Sequence, residues 1–486
     1  MSDLPKGWAL ASLGDVAVDI QGGGTPSKGI AENFTGDIPF MTVKDMKTYR
    51  PLKTQDRITE SALQSCSSKL IPPGTPIVCT RMGLGKIVVS DFATAINQDL
   101  KAVFLEKELV ETSFFEYWYR SITKEINSMG TGTTVKGITL QMLLSLQLPL
   151  PPISEQTRIA AKLNELLAQV DILKARIDCI PALLKRFRQS VLAAAVSGRL
   201  TVEWRTNNAS MDKGSELHQQ IKNSHAAEGG HPRGNASNPT EEAHDLSPDD
   251  LPDSWDIAEL RDVCVPGRPI TYGILKPGPE LEEGVPYIRV ADFPGNKLNM
   301  TNIKKTSHEI DQQFKRARLV EDDLLLSIRG SVGRLIKIPA SLEGANITQD
   351  TARLSVSPLV STDFVYWALL ADSTQRRMKN ATRGVAVRGI NIGDVRALQI
   401  PLPPREEQTE IVRRVEQLFT LADQLETRIG LAKSRINHLT QSILAKAFRG
   451  ELVPQDPSDE PANVLLERIQ AQRAATPRAK RGRKST

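Results

Sequence analysis

The sequence predicts a mixed α/β protein in which two globular α/β domains alternate with two long helices that form a coiled coil. Three observations support this fold class. Apolar residues between positions 154 and 195 recur at alternating steps of four and three, which is a heptad pattern. The same pattern returns 252 positions later, and about forty residues near the start of the chain return 247 positions later. The chain therefore contains an internal repeat, in which one half is a duplicate of the other.

Residues 1–150 form the predicted first domain. Short apolar and β-branched stretches predict strands near residues 38–43, 77–80, 87–89 and 102–105, followed by a helix over 113–127. Trp8 and Trp118 each recur in the second half of the chain, at Trp255 and Trp367. These paired tryptophans are expected in the core of each domain.

Residues 151–204 form the predicted first long helix. A helix of about 42 residues rises ~63 Å, which is longer than one globular core needs. Such a helix buries its apolar seam against a partner helix. The seam residues are Ile159, Leu163, Leu166, Val170, Leu173 and Ile177.

Residues 205–250 are expected to form a flexible acidic linker because they are polar and rich in Asn, Ser, Gly and Pro. Four of the six histidines lie here, at irregular spacing that does not favour a metal site. Between 206 and 250 there are eight acidic and only three basic residues, so a net charge of +5 leaves about +10 for the rest of the chain. A basic body favours a polyanionic partner.

Residues 251–402 form the predicted second domain and 403–453 the second long helix. Leu4, Pro5 and Trp8 recur at Leu251, Pro252 and Trp255. Between the shared positions the loops differ, as residues 21–28 and 268–272 show. This difference suggests that the two domains have a common scaffold but recognise two different targets. The second seam is Ile411, Val415, Leu418, Leu425, Ile429 and Ile436. Residues 454–486 are expected to form a short helix and a basic tail.

Several classes of protein are disfavoured. The chain has no secretory signal and no run of 18 apolar residues, so no membrane association is expected. The four cysteines show no CxxC spacing, which indicates a reduced, cytoplasmic protein without a zinc site. Gly85 and Lys86 lack the rest of a phosphate-binding loop, and no amino-methylation motif is present. Asp37, Asp45 and Lys47 imitate a metal-dependent nuclease, but the second half lacks the lysine.

The remaining candidates are basic and aromatic residues in expected loops, where arginine suits guanine edges and lysine suits phosphates. Two glycine-rich loops, 130–137 and 383–389, keep a basic residue in register just before each long helix. The DNA-binding candidates of the first half are Lys28, Lys44, Lys47, Tyr49, Arg50, Arg81, Lys86 and Lys136. Those of the second half are Arg268, Tyr272, Arg289, Arg329, Arg334, Arg383 and Arg388. No catalytic or metal-binding residue is predicted.

The chain resembles the specificity subunits of type I restriction-modification systems over essentially its whole length. The resemblance is carried by the Leu-Pro-x-x-Trp starts, by Pro-Leu-Pro-Pro-x-x-Glu-Gln before each long helix, and by the helix ends 186–192 and 440–452. It implies two target-recognition domains that each read one half of a bipartite double-stranded DNA sequence. It also implies an antiparallel coiled coil, whereas the heptads alone allow either orientation.

The resemblance further implies partners around this chain. Two methyltransferase subunits bind S-adenosylmethionine, and restriction subunits, which join through them, bind ATP and Mg; this chain binds no cofactor itself. Two alternatives stay open. One is a coiled-coil adaptor whose domains bind protein ligands, and the other is a self-contained modification enzyme, which the missing motifs disfavour.

Overall fold

A computed structural model describes residues 4–132, 135–208, 212–227, 246–383 and 388–475. The chain divides into two compact units. The first contains Met1–Asp178 and Gly430–Thr486, and the second contains Cys179–Ile429. Each unit therefore holds one α/β domain with a part of both long helices. The predicted basic tail after residue 475 lies outside the described residues.

The described residues of the first unit form ten strands in three small sheets. The strands are β1 (Ala9–Ser12), β2 (Ala17–Gly22), β3 (Ile38–Met41), β4 (Asp56–Ile58), β5 (Leu70–Ile71), β6 (Pro76–Cys79), β7 (Ile87–Val89), β8 (Thr94–Ile96), β9 (Leu100–Leu105) and β10 (Gln147–Leu150). Two sheets have four strands, in the orders β2-β9-β6-β7 and β4-β3-β8-β5. The third pairs β1 with β10, which brings the start of the domain to the entry of the long helix. All four predicted strands are present.

Six α-helices begin among the described residues before position 200. They are α1 (Leu13–Val16), α2 (Glu60–Gln64), α3 (Thr112–Ser121), α4 (Thr123–Met129), α5 (Leu140–Leu144) and α6 (Ile153–Val196). The helix expected over 113–127 is divided at Ile122 into α3 and α4. Trp8 and Trp118 are buried in one apolar cluster, as expected.

The second unit repeats this sheet arrangement. Its strands are β11 (Asp256–Glu259), β12 (Thr271–Tyr272), β13 (Val285–Ile288), β14 (Lys304–Thr306), β15 (Leu324–Ser327), β16 (Leu335–Lys337), β17 (Asn346–Ile347), β18 (Thr351–Leu354) and β19 (Gln399–Leu402). The sheet orders are β12-β18-β15-β16, β14-β13-β17 and β11-β19. Phe40 faces Ala95 across a parallel pair in the first unit, and Tyr287 faces Asn346 in the same way in the second. The duplication predicted from sequence is thus a duplication of topology.

The remaining helices follow α6 along the chain. They are α7 (Val202–Asn207), α8 (Gly214–Ala227), α9 (His308–Gln313), α10 (Thr362–Leu370), α11 (Asp372–Asn380), α12 (Ile392–Ala397), α13 (Arg405–Ala447) and α14 (Ala462–Ala475). Among the described residues, none of the helices combines the length and the apolar character that a membrane span requires.

The expectation of a flexible linker is wrong for residues 214–227, which form α8. Leu217 and Ile221 stand four positions apart and are buried in the core of the second domain. His218 Nδ1 lies 2.6 Å from Asp256 Oδ2, and His225 Nε2 lies 3.1 Å from the carbonyl oxygen of Cys264. The polar composition concealed an amphipathic helix whose histidines bind the domain rather than a metal. Residues 228–245 of the expected linker lie outside the described part.

The long helices are antiparallel in the first unit. Ile159 and Leu163, near the start of α6, share a buried cluster with Leu444, near the end of α13. Farther along α6, Asp178 pairs with Lys433 over 2.7 Å. Residue numbers therefore rise along one helix as they fall along the other.

The second unit shows the same orientation independently. Ala195, near the end of α6, shares a buried cluster with Ile411, near the start of α13. Arg188 Nη2 lies 2.6 Å from Asp423 Oδ1. The fold class, including the antiparallel orientation of the coiled coil, is confirmed.

The predicted seam is only partly buried. Ile159, Leu163, Val170, Ile411 and Val415 are buried, while Leu166, Ile177, Leu418, Ile429 and Ile436 are partly buried. The prediction is wrong for Leu173 and Leu425, which are 45% and 40% exposed. Four of the five buried seam residues, all except Val170, lie near the starts of the helices, where they share apolar clusters with residues of the α/β domains.

Candidate nucleic-acid interface

Three separate stretches of the first domain meet beyond the end of β6. Arg81 and Gly137 form an isolated β-bridge, and so do Thr131 and Gly137. Thr80 N–H donates to the carbonyl of Asp99 at 2.8 Å. The glycine-rich loop that sequence analysis singled out and the turn at Asp99 are therefore joined to Thr80 and Arg81 by backbone hydrogen bonds.

The second domain builds the same junction after β15. Arg329 and Gly389 form a β-bridge, as do Arg383 and Gly389. Ile328 N–H donates to the carbonyl of Asp350 at 2.8 Å. We call the exposed cations Arg81, Lys86 and Lys136 the first basic edge, and the exposed cations Arg329, Arg383 and Arg388 the second basic edge. Residues 133–134 and 384–387 of the two loops lie outside the described residues.

Each junction depends on a glycine that lies under an arginine. A Cβ at Gly137 would stand 3.1 Å from Cγ of Arg81, and a Cβ at Gly389 would stand 3.0 Å from Cγ of Arg329. Such contacts are tighter than ordinary van der Waals contacts. The absence of a side chain therefore lets each arginine lie across its loop with its guanidinium directed to the surface.

The arginines of the two basic edges keep exposed guanidinium groups. Arg81 Nε lies 3.9 Å from Asp99 Oδ1, and the Arg81 side chain is 54% exposed. Arg329 Nη1 donates to Oε1 of Gln349 at 3.2 Å. Arg334, a candidate outside the two edges, is half-buried and donates through Nη1 to the carbonyl of Val290 at 3.4 Å. Long or single contacts of this kind leave donors for a polyanion.

A second feature of the first domain is the loop that follows β3. A cleft of about 610 Å³ is lined by this loop, which presents Lys44, Lys47 and Lys53. Buried Asp45 holds the loop closed, because Oδ2 accepts from Thr42 N–H at 2.8 Å and Oδ1 accepts from Gln55 N–H at 2.7 Å. Lys53 was missed by the sequence analysis, although it belongs to the same run of basic residues.

The role of Asp45 argues against the nuclease interpretation. Its carboxylate oxygens are occupied by the loop, whereas Asp37 is fully exposed and lies 3.7 Å from Arg57. In the second domain Asp292 stands at the equivalent position and accepts from Arg289 N–H at 2.8 Å. Both aspartates close a loop. Within the described ranges, no group of three or more His, Cys, Asp or Glu side chains could hold a metal ion.

Several predicted DNA-binding residues are engaged within their own domains. Arg50 Nη2 lies 2.8 Å from Oε2 of Glu116, whose pKa is raised by burial and lowered in part by Arg50 and Arg120. Arg120 stacks its guanidinium 3.6 Å from the ring centre of Tyr49. These contacts give Tyr49 and Arg50 a structural role.

Two arginines of the second domain are held in the same way. Arg268 lies 3.0 Å from buried Asp323, and Arg289 lies 2.6 Å from Asp292. The prediction that they read DNA is not supported, because their guanidinium donors serve buried carboxylates.

The remaining candidates are Lys28, in the loop after β2, and Tyr272, at the end of β12. Gly23 and Gly273 make equivalent close approaches, since a Cβ on either would stand 1.9 Å from a carbonyl oxygen, that of Ile96 or Ile347. The two loops, which the sequence showed as unrelated, therefore share this anchor. Lys28 and Tyr272 are both exposed.

The duplicated scaffold with its two basic edges agrees with a comparison to known families. The sequence model of the family described as "Type I restriction modification DNA specificity domain" matches residues 5–182 and again residues 252–431 of this chain. The chain belongs to this family.

Relatives within the family support the assignment over most of the chain. The type I restriction enzyme EcoBI specificity subunit of Escherichia coli is 35% identical over 401 residues, which cover 80% of this chain and 77% of that protein. The StySPI specificity subunit of Salmonella potsdam is 30% identical over 505 residues, which cover 99% of this chain and 98% of that protein.

Solved structures of this family share the fold. The HsdS subunit from Thermoanaerobacter tengcongensis superposes with a TM-score of 0.56 at 20% identity and covers 93% of this chain and 98% of its own. A chain from a study of type I restriction-modification assembly and conformational transition gives a TM-score of 0.59 at 18% identity, with coverage of 93% and 100%.

Proposed function

We propose that this chain is the DNA sequence-specificity subunit of a type I restriction-modification complex and that each α/β domain reads one half of a bipartite duplex target. The observation that carries the proposal is the pair of basic edges. They stand on the same backbone junction, but one presents Arg81 with two lysines and the other presents three arginines. One scaffold with two sets of donors is suited to two different half-sites.

The arginines and lysines of the basic edges have different roles in DNA recognition. Arginine donates in a bidentate way to O6 and N7 of guanine, while lysine contacts phosphates as a point charge. The lysine cleft that Asp45 holds closed adds phosphate contacts beside the first basic edge. Affinity is then electrostatic, and specificity comes from the few groups that reach base edges.

The long helices serve assembly and spacing in this proposal. In the first unit, Ile172, Leu173, Leu431 and Leu439 are large apolar residues on α6 and α13 that are each more than 40% exposed. Exposed apolar side chains on paired helices suit helices of a partner. Two methyltransferase subunits, which bind S-adenosylmethionine, dock here, and restriction subunits, which use ATP and Mg, join through them. The chain itself contributes recognition without catalysis, in the cytoplasm.

The test is a methylome of the host with and without this gene. One bipartite motif should lose its methylation when the gene is absent. Replacing residues 1–150 by the equivalent domain of another family member should then change one half of the motif and leave the other half unchanged. An unchanged methylome would contradict the proposal, and a change in both halves would contradict modular reading.

The adaptor alternative is separated by direct binding. A specificity subunit should bind duplex DNA with an affinity that falls on the order of a thousandfold between about 50 and 200 mM salt, because six to ten phosphate contacts release counterions. A coiled-coil adaptor would show no such dependence.

A further inference from the structure

Met82 has a backbone conformation that its side chain disfavours. It lies in the turn between β6 and β7 with a φ of 61°, and its side chain is 69% exposed. The equivalent residue in the second domain is Gly330, with a φ of 72°. The turn thus demands a left-handed residue in both domains, and glycine is the residue that adopts it without a steric cost. Only the first domain keeps a side chain there.

The turn around Met82 is firmly held. The Cys79 thiol donates to the carbonyl of Arg81 at 2.8 Å, and burial raises its pKa to about 11, so it keeps its proton at neutral pH. Cys79 N–H donates to the carbonyl of Lys86 at 3.0 Å, and Met82 N–H lies 3.4 Å from the carbonyl of Lys136. Strained residues persist where the surroundings fix them, and they concentrate at binding sites.

The surroundings of Met82 combine a shallow cleft with exposed cations. Met82 lines a cleft of about 350 Å³ together with Leu84, Asn127 and Lys136. It follows Arg81 directly, so an apolar side chain stands among the cations of the first basic edge. Most of this side chain is in contact with water in the free protein.

We propose that Met82 is a base-reading residue of the first domain and that its side chain contacts the C5 methyl group of a thymine in the half-site that this domain reads. Apolar contact with that methyl group is how proteins recognise thymine in the major groove. The flanking cations hold the duplex against the turn. The inference rests on the proposed function. Because the second domain has Gly330 at the equivalent position, we expect that it does not read thymine with this turn.

The test compares the wild-type protein with Met82→Gly on duplexes of the methylome-defined motif. Each thymine of the first half-site is replaced in turn by uracil, which lacks only the methyl group. Wild-type affinity should fall about threefold to fivefold at one thymine, as expected for the loss of one buried methyl group. The variant should bind the normal duplex several-fold more weakly and show no difference between thymine and uracil.

Stability separates base reading from a structural role. Glycine removes the left-handed strain, so Met82→Gly should unfold at the same temperature as the wild type or at a higher one. Met300→Gly is the matched control, because it removes a half-exposed methionine from the second domain and should leave the first half-site unaffected.

Three results would overturn the inference. The first is that replacing thymine by uracil changes the affinity of the wild type and of Met82→Gly equally. The second is a first half-site that contains no thymine. The third is that Met82→Gly loses affinity because it unfolds at a lower temperature. A wild-type chain without any sequence preference would instead overturn the proposed function, and this inference with it.

Discussion

The indole N–H of Trp255 donates to Oε2 of Glu407 over 2.8 Å, and both side chains are buried. Trp8 donates to Glu155 in the same way over 3.1 Å. These contacts fix the start of each long helix to the first turn of its domain. They explain why a tryptophan and a Glu-Gln pair recur together in the sequence although 147 and 152 residues separate the members of each pair.

The two glutamates differ in their other partners, which predicts opposite responses to the same substitution. Glu407 also accepts from Thr201 at 2.6 Å and pairs with Arg205. Glu407→Gln removes the charge opposite Arg205 in a mostly buried site and should lower the free energy of unfolding by about 2–4 kcal/mol. Chemical denaturation at neutral pH measures the difference.

Glu155 is the matched control. Among the described residues its Oε1 is buried without a hydrogen-bond partner, and burial raises the pKa of its carboxyl group. A raised pKa means that the folded state binds more protons than the unfolded state, so stability falls as pH rises through that range. Glu155→Gln cannot ionise and keeps an acceptor for Trp8. Its stability relative to wild type should therefore rise between pH 4 and pH 8, and a constant difference would contradict this account.

The glycines under the arginines give a second prediction. Gly137→Ala and Gly389→Ala place a Cβ about 3 Å from Cγ of Arg81 and Arg329 and should displace those side chains. We expect each variant to lose roughly tenfold in affinity for the target duplex, equivalent to one good base contact. Each should weaken discrimination in only one half-site. Gly74→Ala is unsuitable as a control because φ is 76° there, whereas Gly29→Ala meets only Ser27 Oγ at 3.8 Å and should be neutral.

The sequence predicted the features that depend on local pattern or on repetition. Heptads predicted the long helices, and duplication predicted that the two domains share one scaffold, which the equivalent bridges Arg81–Gly137 and Arg329–Gly389 show. It failed where the deciding partner is distant. Glu116 stands 66 positions from Arg50, and Asp323 stands 55 positions from Arg268, so no spacing could show that these arginines are engaged. The prediction of a flexible linker failed at residues 214–227 because Leu217 and Ile221 are surrounded in sequence by polar residues, although their spacing is that of a helix.

A third prediction distinguishes the lysines proposed to bind phosphates from the arginines that pair with buried carboxylates. Lys47→Ala and Lys53→Ala should each lower the slope of log affinity against log salt by about one while leaving stability unchanged, because each removes one phosphate contact. Arg289→Ala should instead lower the free energy of unfolding by about 1–3 kcal/mol, since it leaves buried Asp292 without its charge partner. If all three variants changed the salt slope equally, Arg289 would have to be counted among the DNA-binding residues.

The last prediction concerns the long helices as the element that sets the gap between half-sites. Asp178 pairs with Lys433 over 2.7 Å, which identifies matching levels on α6 and α13. Seven residues inserted after Asp178 and seven after Ala432 keep both heptad patterns in phase and preserve this pair. Each helix grows by ~10.5 Å. At 3.4 Å per base pair this corresponds to about three base pairs, although the added pairs also rotate one half-site around the duplex.

The methylome of cells that carry the insertion variant should show the same half-sites with a longer gap, or no methylated motif if the rotation prevents simultaneous contact. Circular dichroism and the unfolding temperature establish that the variant is folded. The same seven residues inserted after Gly234 lengthen the chain between the domains without lengthening α6 or α13, and this control should keep the original gap. If the helix variant is folded and still methylates the original motif in full, the helices do not set the spacing.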